Sequence, residues 1–210
     1  DFIYSRAFQL MVQLGNTDIM AVLADTTNTI AEGEVQQLIN AGDPDTTEEN
    51  YLEVVRKKTA VLFAAATECA AVLCDASSEQ RQDLAAYGNH LGMAFQLQDD
   101  VLDYTGDSEE LGKNIGDDLA EGKATLPLIH TIANGSDAQS DLIRSAILEN
   151  DTSRIEEVAA AVRESGGLSY TQELAEKEVA TAISKLGSVP DSNYKEILAE
   201  LAKFALVRSY

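Results

Sequence analysis

The chain has 210 residues, with 36 acidic and 15 basic side chains, a formal charge of -21, 45% hydrophobic residues and no Trp. An ordinary apolar fraction at this length supplies one sizeable core and excludes disorder and collagen-like structure. The largest basic cluster, Arg56-Lys57-Lys58, cannot track a phosphate backbone, so nucleic acid is excluded as a partner, and no run approaches the ~20 apolar residues of a membrane span.

Without a signal-peptide pattern at its start, the sequence reads as a soluble, cytoplasmic type of protein. Cys69 and Cys74, five apart in an apolar helical stretch, point away from each other and read as reduced thiols. The chain starts at Asp1 already inside an amphipathic pattern, which reads as the C-terminal part of a longer protein.

Apolar residues recur at three- and four-residue spacings almost throughout, so the spacing predicts an all-α chain in one helical domain, 1–210. Phe2, Ile3, Ala7, Leu10, Met11 and Leu14 form a first stripe stopped at Gly15-Asn16. A second helix runs from about Asp18 to Leu38 and halts at Gly42-Asp43-Pro44. Thr46 with Glu49 has capping-box spacing and opens a third helix reaching about Leu73; Ser77 with Gln80 opens a fourth, ended by Gly106. A glycine-rich, acidic stretch follows, with a short helical turn expected at 115–119. Helices resume at Thr125-Leu126-Pro127, where proline sits in the permitted first turn, and later ones are separated by Asn150-Asp151, Gly166-Gly167 and Ser188-Val189-Pro190.

The fourth helix carries Gln96, Asp99, Asp100 and Asp103. At about 100° per residue, Asp99 and Asp103 lie roughly 40° apart, with Asp100 about 60° beyond Asp103 and Gln96 on the same arc. Carboxylates this close need a counter-charge, and an all-oxygen set suits Mg²⁺ or Mn²⁺. A solvated acidic face is the competing reading. Lys113 and Lys123, the only bases between residues 82 and 143, stand in the glycine-rich stretch, where they suit a phosphate held between metal ions and ammonium groups. Lys58-Thr59 offers an ammonium beside a hydroxyl, and a solvated basic patch is its plainer reading. His90 and His130 read as ordinary helix or boundary histidines, and Asp117-Asp118 looks metal-like. No Ser/His/Asp or Cys/His set is credible.

The run from Phe95 to Tyr104, continuing through Gly112-Lys113-Asn114-Ile115-Gly116-Asp117-Asp118 to Gly122-Lys123-Ala124-Thr125-Leu126-Pro127, resembles the second aspartate-rich region of the trans-isoprenyl diphosphate synthases, the bacterial octaprenyl type above all. Gly33 to Leu38 and Lys58-Thr59-Ala60 resemble two upstream blocks of that family in the same order. The resemblance implies an isoprenoid-synthase-type helical bundle around a central cavity. It also implies Mg²⁺-dependent condensation of isopentenyl diphosphate onto an allylic diphosphate such as farnesyl diphosphate, supplying a quinone side chain.

By the same resemblance Asp99 is the main metal ligand, supported by Asp100 and Asp103, while Lys58, Thr59, Gln96, Lys113 and Lys123 contact the allylic diphosphate and Asp117-Asp118 takes a structural place. A homodimer through the first two helices and at most peripheral membrane contact for product release are implied as well. No stretch matches the family's first aspartate-rich motif, so the 210 residues alone are expected to be inactive. A non-catalytic regulatory subunit of a heteromeric synthase is the alternative.

Overall fold

The computed structural model describes residues 2–105 and 115–207, and every element among them is helical. In chain order these are α1 (Phe2–Gln13), α2 (Thr17–Asn40), α3 (Glu48–Val55), a π-helical turn (Arg56–Ala60), α4 (Val61–Leu73), α5 (Ser78–Thr105), α6 (Asp117–Ala120), α7 (Leu126–Asn134), α8 (Asp137–Glu149), α9 (Ile155–Glu164), α10 (Gly167–Lys185), a 3₁₀ turn (Leu186–Ser188) and α11 (Asn193–Phe204). The expected helices are present at nearly the expected places. No described helix is long and apolar enough to cross a membrane.

Local chemistry explains most boundaries. The Ser77 hydroxyl accepts from the Gln80 N–H while the Gln80 side chain accepts from the Ser77 N–H, the reciprocal box expected at the start of α5. Pro127 occupies the first turn of α7, where its missing N–H costs nothing. The start of α3 differs by one residue from expectation: Thr47, not Thr46, caps it, accepting from the Asn50 N–H. The Thr46 hydroxyl is already committed to the Asp43 carbonyl at 2.9 Å, closing the turn that precedes the helix.

The 28-residue α5 is the axis of the fold, packed along α10 on one side and α4 on the other. Tyr87, Leu91, Ala94, Leu97, Val101 and Tyr104 recur every three or four residues and are buried on its inward stripe. Its two ends reach separate clusters, Tyr87 packing with Val179, Leu186 and Ala202, and Tyr104 with Leu119, Leu128, Ile143, Ile147 and Val162. The same long helix therefore carries its polar end toward α3, the π turn and α6.

Between α3 and α4 the helix widens, and the Val61 N–H reaches back to the Arg56 carbonyl, five residues away. Two glycines clamp this turn. A Cβ on Gly33 of α2 would stand 2.9 Å from Lys58 N, and one on Gly92 of α5 would stand 2.6 Å from Ala60 Cα. Both partners are backbone atoms, which cannot swing aside. Gly92→Ala should therefore destabilise the fold by about 1–3 kcal/mol, although Ala is the better helix former by roughly 1 kcal/mol. Urea unfolding checks this, and an unchanged midpoint would mean that the turn tolerates displacement.

His90 and His130 lie in packing contacts away from the candidate site. His90 Nδ1 is 2.6 Å from Glu178 Oε2 across α5 and α10, and His130 stacks on Tyr170 with ring centroids 4.5 Å apart. Cys69 and Cys74 are free thiols, as expected.

Candidate active site

The clamped π turn, the polar end of α5, the C-terminal end of α2 and the segment entering α7 enclose a cleft of about 220 Å³. Six expected site residues line it: Lys58, Thr59, Gln96, Asp99, Asp100 and Lys123. They come from three separate stretches of chain. Lys113 lies outside the described residues, and Asp103 is not part of the cleft wall.

The family-like block on α2 positions the basic residues. Lys58 Nζ donates to Gln37 Oε1 at 3.0 Å and pairs with Glu34 Oε2 at 3.0 Å, while Lys57 Nζ reaches Gln36 Oε1 at 3.2 Å and Glu53 at 2.9 Å. Lys123 is anchored differently. The Gly42 N–H donates to the Gly122 carbonyl at 2.8 Å, tying the loop to the end of α2, and Lys123 Nζ lies 2.8 Å from both Asp118 Oδ1 and Glu121 Oε2. Burial opposes the Lys123 charge, yet these two carboxylates outweigh it and hold its pKa well above the ordinary value. Glu121 is held below the usual carboxylate range by Lys123, with Lys58 adding in the same sense.

The three aspartates do not share one environment. Asp99 is half-buried at the cleft and makes no hydrogen bond or ion pair among the described residues. Asp100 is 1% exposed, accepting from the Tyr51 hydroxyl at Oδ2 and from Gln96 Nε2 at Oδ1 over 2.9 Å. Burial first, then the Asp118 charge, pushes its carboxyl up to about 8 against the lowering effect of those two hydrogen bonds. Asp103 is pushed up to about 7, chiefly by burial and the Asp118 charge, and its buried Oδ2 has no partner among the described residues.

Of the three expected carboxylates, Asp99 and Asp100 line the cleft and Asp103 stands outside its wall. Among the described residues no group of three or more His, Cys, Asp or Glu is placed to hold a metal ion. The Gly116 N–H donates to the Asp103 carbonyl at 3.1 Å, and the backbone N–H groups of Asp117 and Asp118 hydrogen-bond the Asp103 carboxyl. Asp100 is sequestered under Tyr51. Asp118, read from sequence as structural, instead lines the cleft as the partner of Lys123.

Tyr51 and Gln37 were not singled out from sequence. Gln37 stands in the block quoted for its resemblance, and Tyr51 lies two helical turns before Lys58, a spacing that marks a shared face only where the intervening helix is regular.

A single-carboxylate site suits Mg²⁺ of the kind that takes one or two protein carboxylates, keeps several waters and completes its shell with substrate phosphate oxygens. Asp99, open to the cleft and without a hydrogen-bond or ion-pair partner among the described residues, fits that donor set, and the nearby ammonium groups of Lys58 and Lys123 suit the phosphates.

The family model described as polyprenyl synthetase matches residues 1–165. Over 209 residues the chain is 48% identical to an octaprenyl diphosphate synthase of Escherichia coli (strain K12), covering 99% of this chain and 65% of that protein. It is 46% identical over 208 residues to an all-trans-nonaprenyl-diphosphate synthase (geranyl-diphosphate specific) of Rhodobacter capsulatus, covering 99% and 64%. A crystal structure of a polyprenyl synthase from Caulobacter crescentus CB15, complexed with calcium and isoprenyl diphosphate, superposes with a TM-score of 0.95 at 40% identity, covering all of this chain and 65% of that one. The chain thus spans about two thirds of the length of these relatives, its helical bundle is that of the isoprenyl diphosphate synthases, and it belongs to the polyprenyl synthetase family.

Proposed function

We propose that the whole protein is a trans-prenyltransferase that condenses isopentenyl diphosphate onto an allylic diphosphate such as farnesyl diphosphate, and that this chain supplies the allylic diphosphate wall. The observation that carries this reading is the convergence of Lys58, Lys123 and Asp99 on one cleft. In the reaction the allylic C–O bond breaks, diphosphate departs with the electron pair, the isopentenyl double bond forms the new C–C bond, and a proton is lost from the isopentenyl unit. When bound with the substrate, Mg²⁺ or Mn²⁺ supplies positive charge for the departing diphosphate.

The residues of this chain do the rest. Lys58 and Lys123 exchange their carboxylate partners for phosphate oxygens, while Val54, Val55 and Ala124 line the apolar part of the cleft and limit water beside the reacting carbon. No nucleophilic side chain is needed. An octaprenyl product serving as a quinone side chain follows from the similarity to octaprenyl synthases, and a homodimer is supported by the apolar side chains that α1 and α2 leave exposed, among them Phe2, Ile3, Val12, Leu38 and Ile39.

Isothermal titration of farnesyl diphosphate tests the reading. Binding to the 210-residue chain should require Mg²⁺ or Mn²⁺ and vanish with chelator, and Lys58→Ala and Lys123→Ala should each weaken it by about 10–100-fold, the size of a lost charge-assisted hydrogen bond. Binding that survives both chelation and loss of the lysines would refute it.

A further inference from the structure

A hydrogen-bonded chain runs through the cleft wall from Tyr51 to Thr59. Tyr51 donates to Asp100 Oδ2, Gln96 Nε2 donates to Asp100 Oδ1 over 2.9 Å, and the Thr59 hydroxyl donates to Gln96 Oε1 over 3.2 Å. Tyr51 and Asp100 are 7% and 1% exposed, so neither bond competes freely with bulk water. The chain joins α3, α5 and the π turn.

A side-chain amide has two faces, an NH₂ that donates and a carbonyl that accepts, and its shape alone does not choose between them. Asp100 Oδ1 accepts, so it selects the NH₂ face and turns the carbonyl of Gln96 toward Thr59. Thr59 has one proton to give, and the carbonyl takes it. One N–H of Gln96 is thereby committed to Asp100 and the Thr59 proton to Gln96, so Thr59 is left with lone pairs alone.

We propose that Asp100, held by Tyr51, is a positioning residue that fixes the Gln96 amide and, through it, the Thr59 hydroxyl, so that Thr59 turns lone pairs and not its proton toward a diphosphate. The inference rests on the prenyl-transfer reading and gives its wall a direction. Diphosphate oxygens are disfavoured against Thr59 and are directed to the Lys58 and Lys123 end of the cleft. With the amide reversed, the freed Thr59 hydroxyl becomes an extra donor, and substrate gains a second, unproductive register.

Steady-state assays on the whole protein with farnesyl diphosphate, labelled isopentenyl diphosphate and Mg²⁺ test this. Asp100→Ala should lower kcat at least tenfold while the KM for farnesyl diphosphate stays the same or falls. Asp100→Asn, which keeps an oxygen acceptor for Gln96 Nε2, should recover most of that loss and leave the Mg²⁺ activation midpoint in place. The double variant Asp100→Ala/Gln96→Leu should be no slower than Gln96→Leu alone, because residues acting as one unit are not additive.

A Mg²⁺ midpoint moved tenfold or more by Asp100→Asn would make Asp100 a metal ligand and overturn the proposal. So would a double variant that loses the product of the two single effects. If Asp100→Ala does not fold, Tyr51→Phe should show the same kcat-against-KM split at smaller size, and a rise in KM alone would count against it. Side-chain amide NMR of the 210-residue chain separates this claim from the assigned reaction: the Gln96 NH₂ signals should shift in Tyr51→Phe and stay in place in Asp99→Ala. Unchanged signals in Tyr51→Phe overturn the positioning role, whereas a wild-type protein without prenyl transfer overturns the assigned reaction.

Discussion

Asp99→Ala should lower prenyl-transfer turnover of the whole protein by about 10²–10³-fold, the cost typical of removing one preorganised electrostatic contact from a transition state. Asp103→Ala should cost about tenfold or less, since a group that touches no reacting atom loses only its effect on placement. The contrast follows from their surroundings. Asp99 is open to the cleft and has no hydrogen-bond or ion-pair partner among the described residues, so its capacity as an oxygen donor is available to a cation held with the substrate. Asp103 accepts from the backbone of Asp117 and Asp118 at the start of α6, and its influence on the cleft passes through the placement of Asp118 and Lys123. Product formation followed with labelled isopentenyl diphosphate decides the matter. Equal and mild effects of both changes would return these carboxylates to a solvated acidic face.

The second large effect concerns stability rather than turnover. A carboxyl whose folded pKa stands above its unfolded value stabilises the fold fully below the unfolded pKa and loses that contribution as pH rises through the folded one. For Asp100 the window runs from its ordinary value of 3.8 to about 8. Above it, the native metal-free chain must carry a charge in a site that is 1% exposed. Asp100→Asn removes that charge and keeps the shape. It should raise the melting temperature of the metal-free chain at pH 8.5 by on the order of 5–10 °C, corresponding to a few kcal/mol at this chain length, with little difference at pH 4. Equal melting temperatures at both pH values would show that water or a cation already compensates the carboxylate.

The helical order of the chain was readable wherever one short-range device set a boundary, as with Ser77 and Gln80 before α5 or Pro127 at the start of α7. Thr46 and Thr47 show the resolution of that reading. Either hydroxyl could cap α3, and the choice fell to the turn at Asp43, which engages Thr46 first. The site was legible as a set of residue types, because Lys58, Thr59, Gln96, Asp99 and Lys123 do meet. The division of labour among the aspartates was not. A helical wheel gives the direction in which Asp100 and Asp103 leave the axis of α5, but it cannot show that Tyr51, from a helix some fifty residues earlier, covers the first, or that the backbone of Gly116 to Asp118 hydrogen-bonds back to the second. Those facts depend on contacts distant in sequence.

The π turn between α3 and α4 makes the chain sensitive to counting as well as to chemistry. Its wide loop accommodates one residue more than a regular helical path would, so α4 continues from α3 with its phase advanced by about a quarter turn. Tyr51 lies before that offset and Phe63 after it, and both contribute to the walls of α5 only because the offset lies between them. Shortening the stretch by a single residue, whichever it was, would rotate the whole of α4 against α5 and carry Gly88 and Gly92 away from the backbone that their missing side chains admit. For this segment the number of residues constrains the packing as firmly as their identity does.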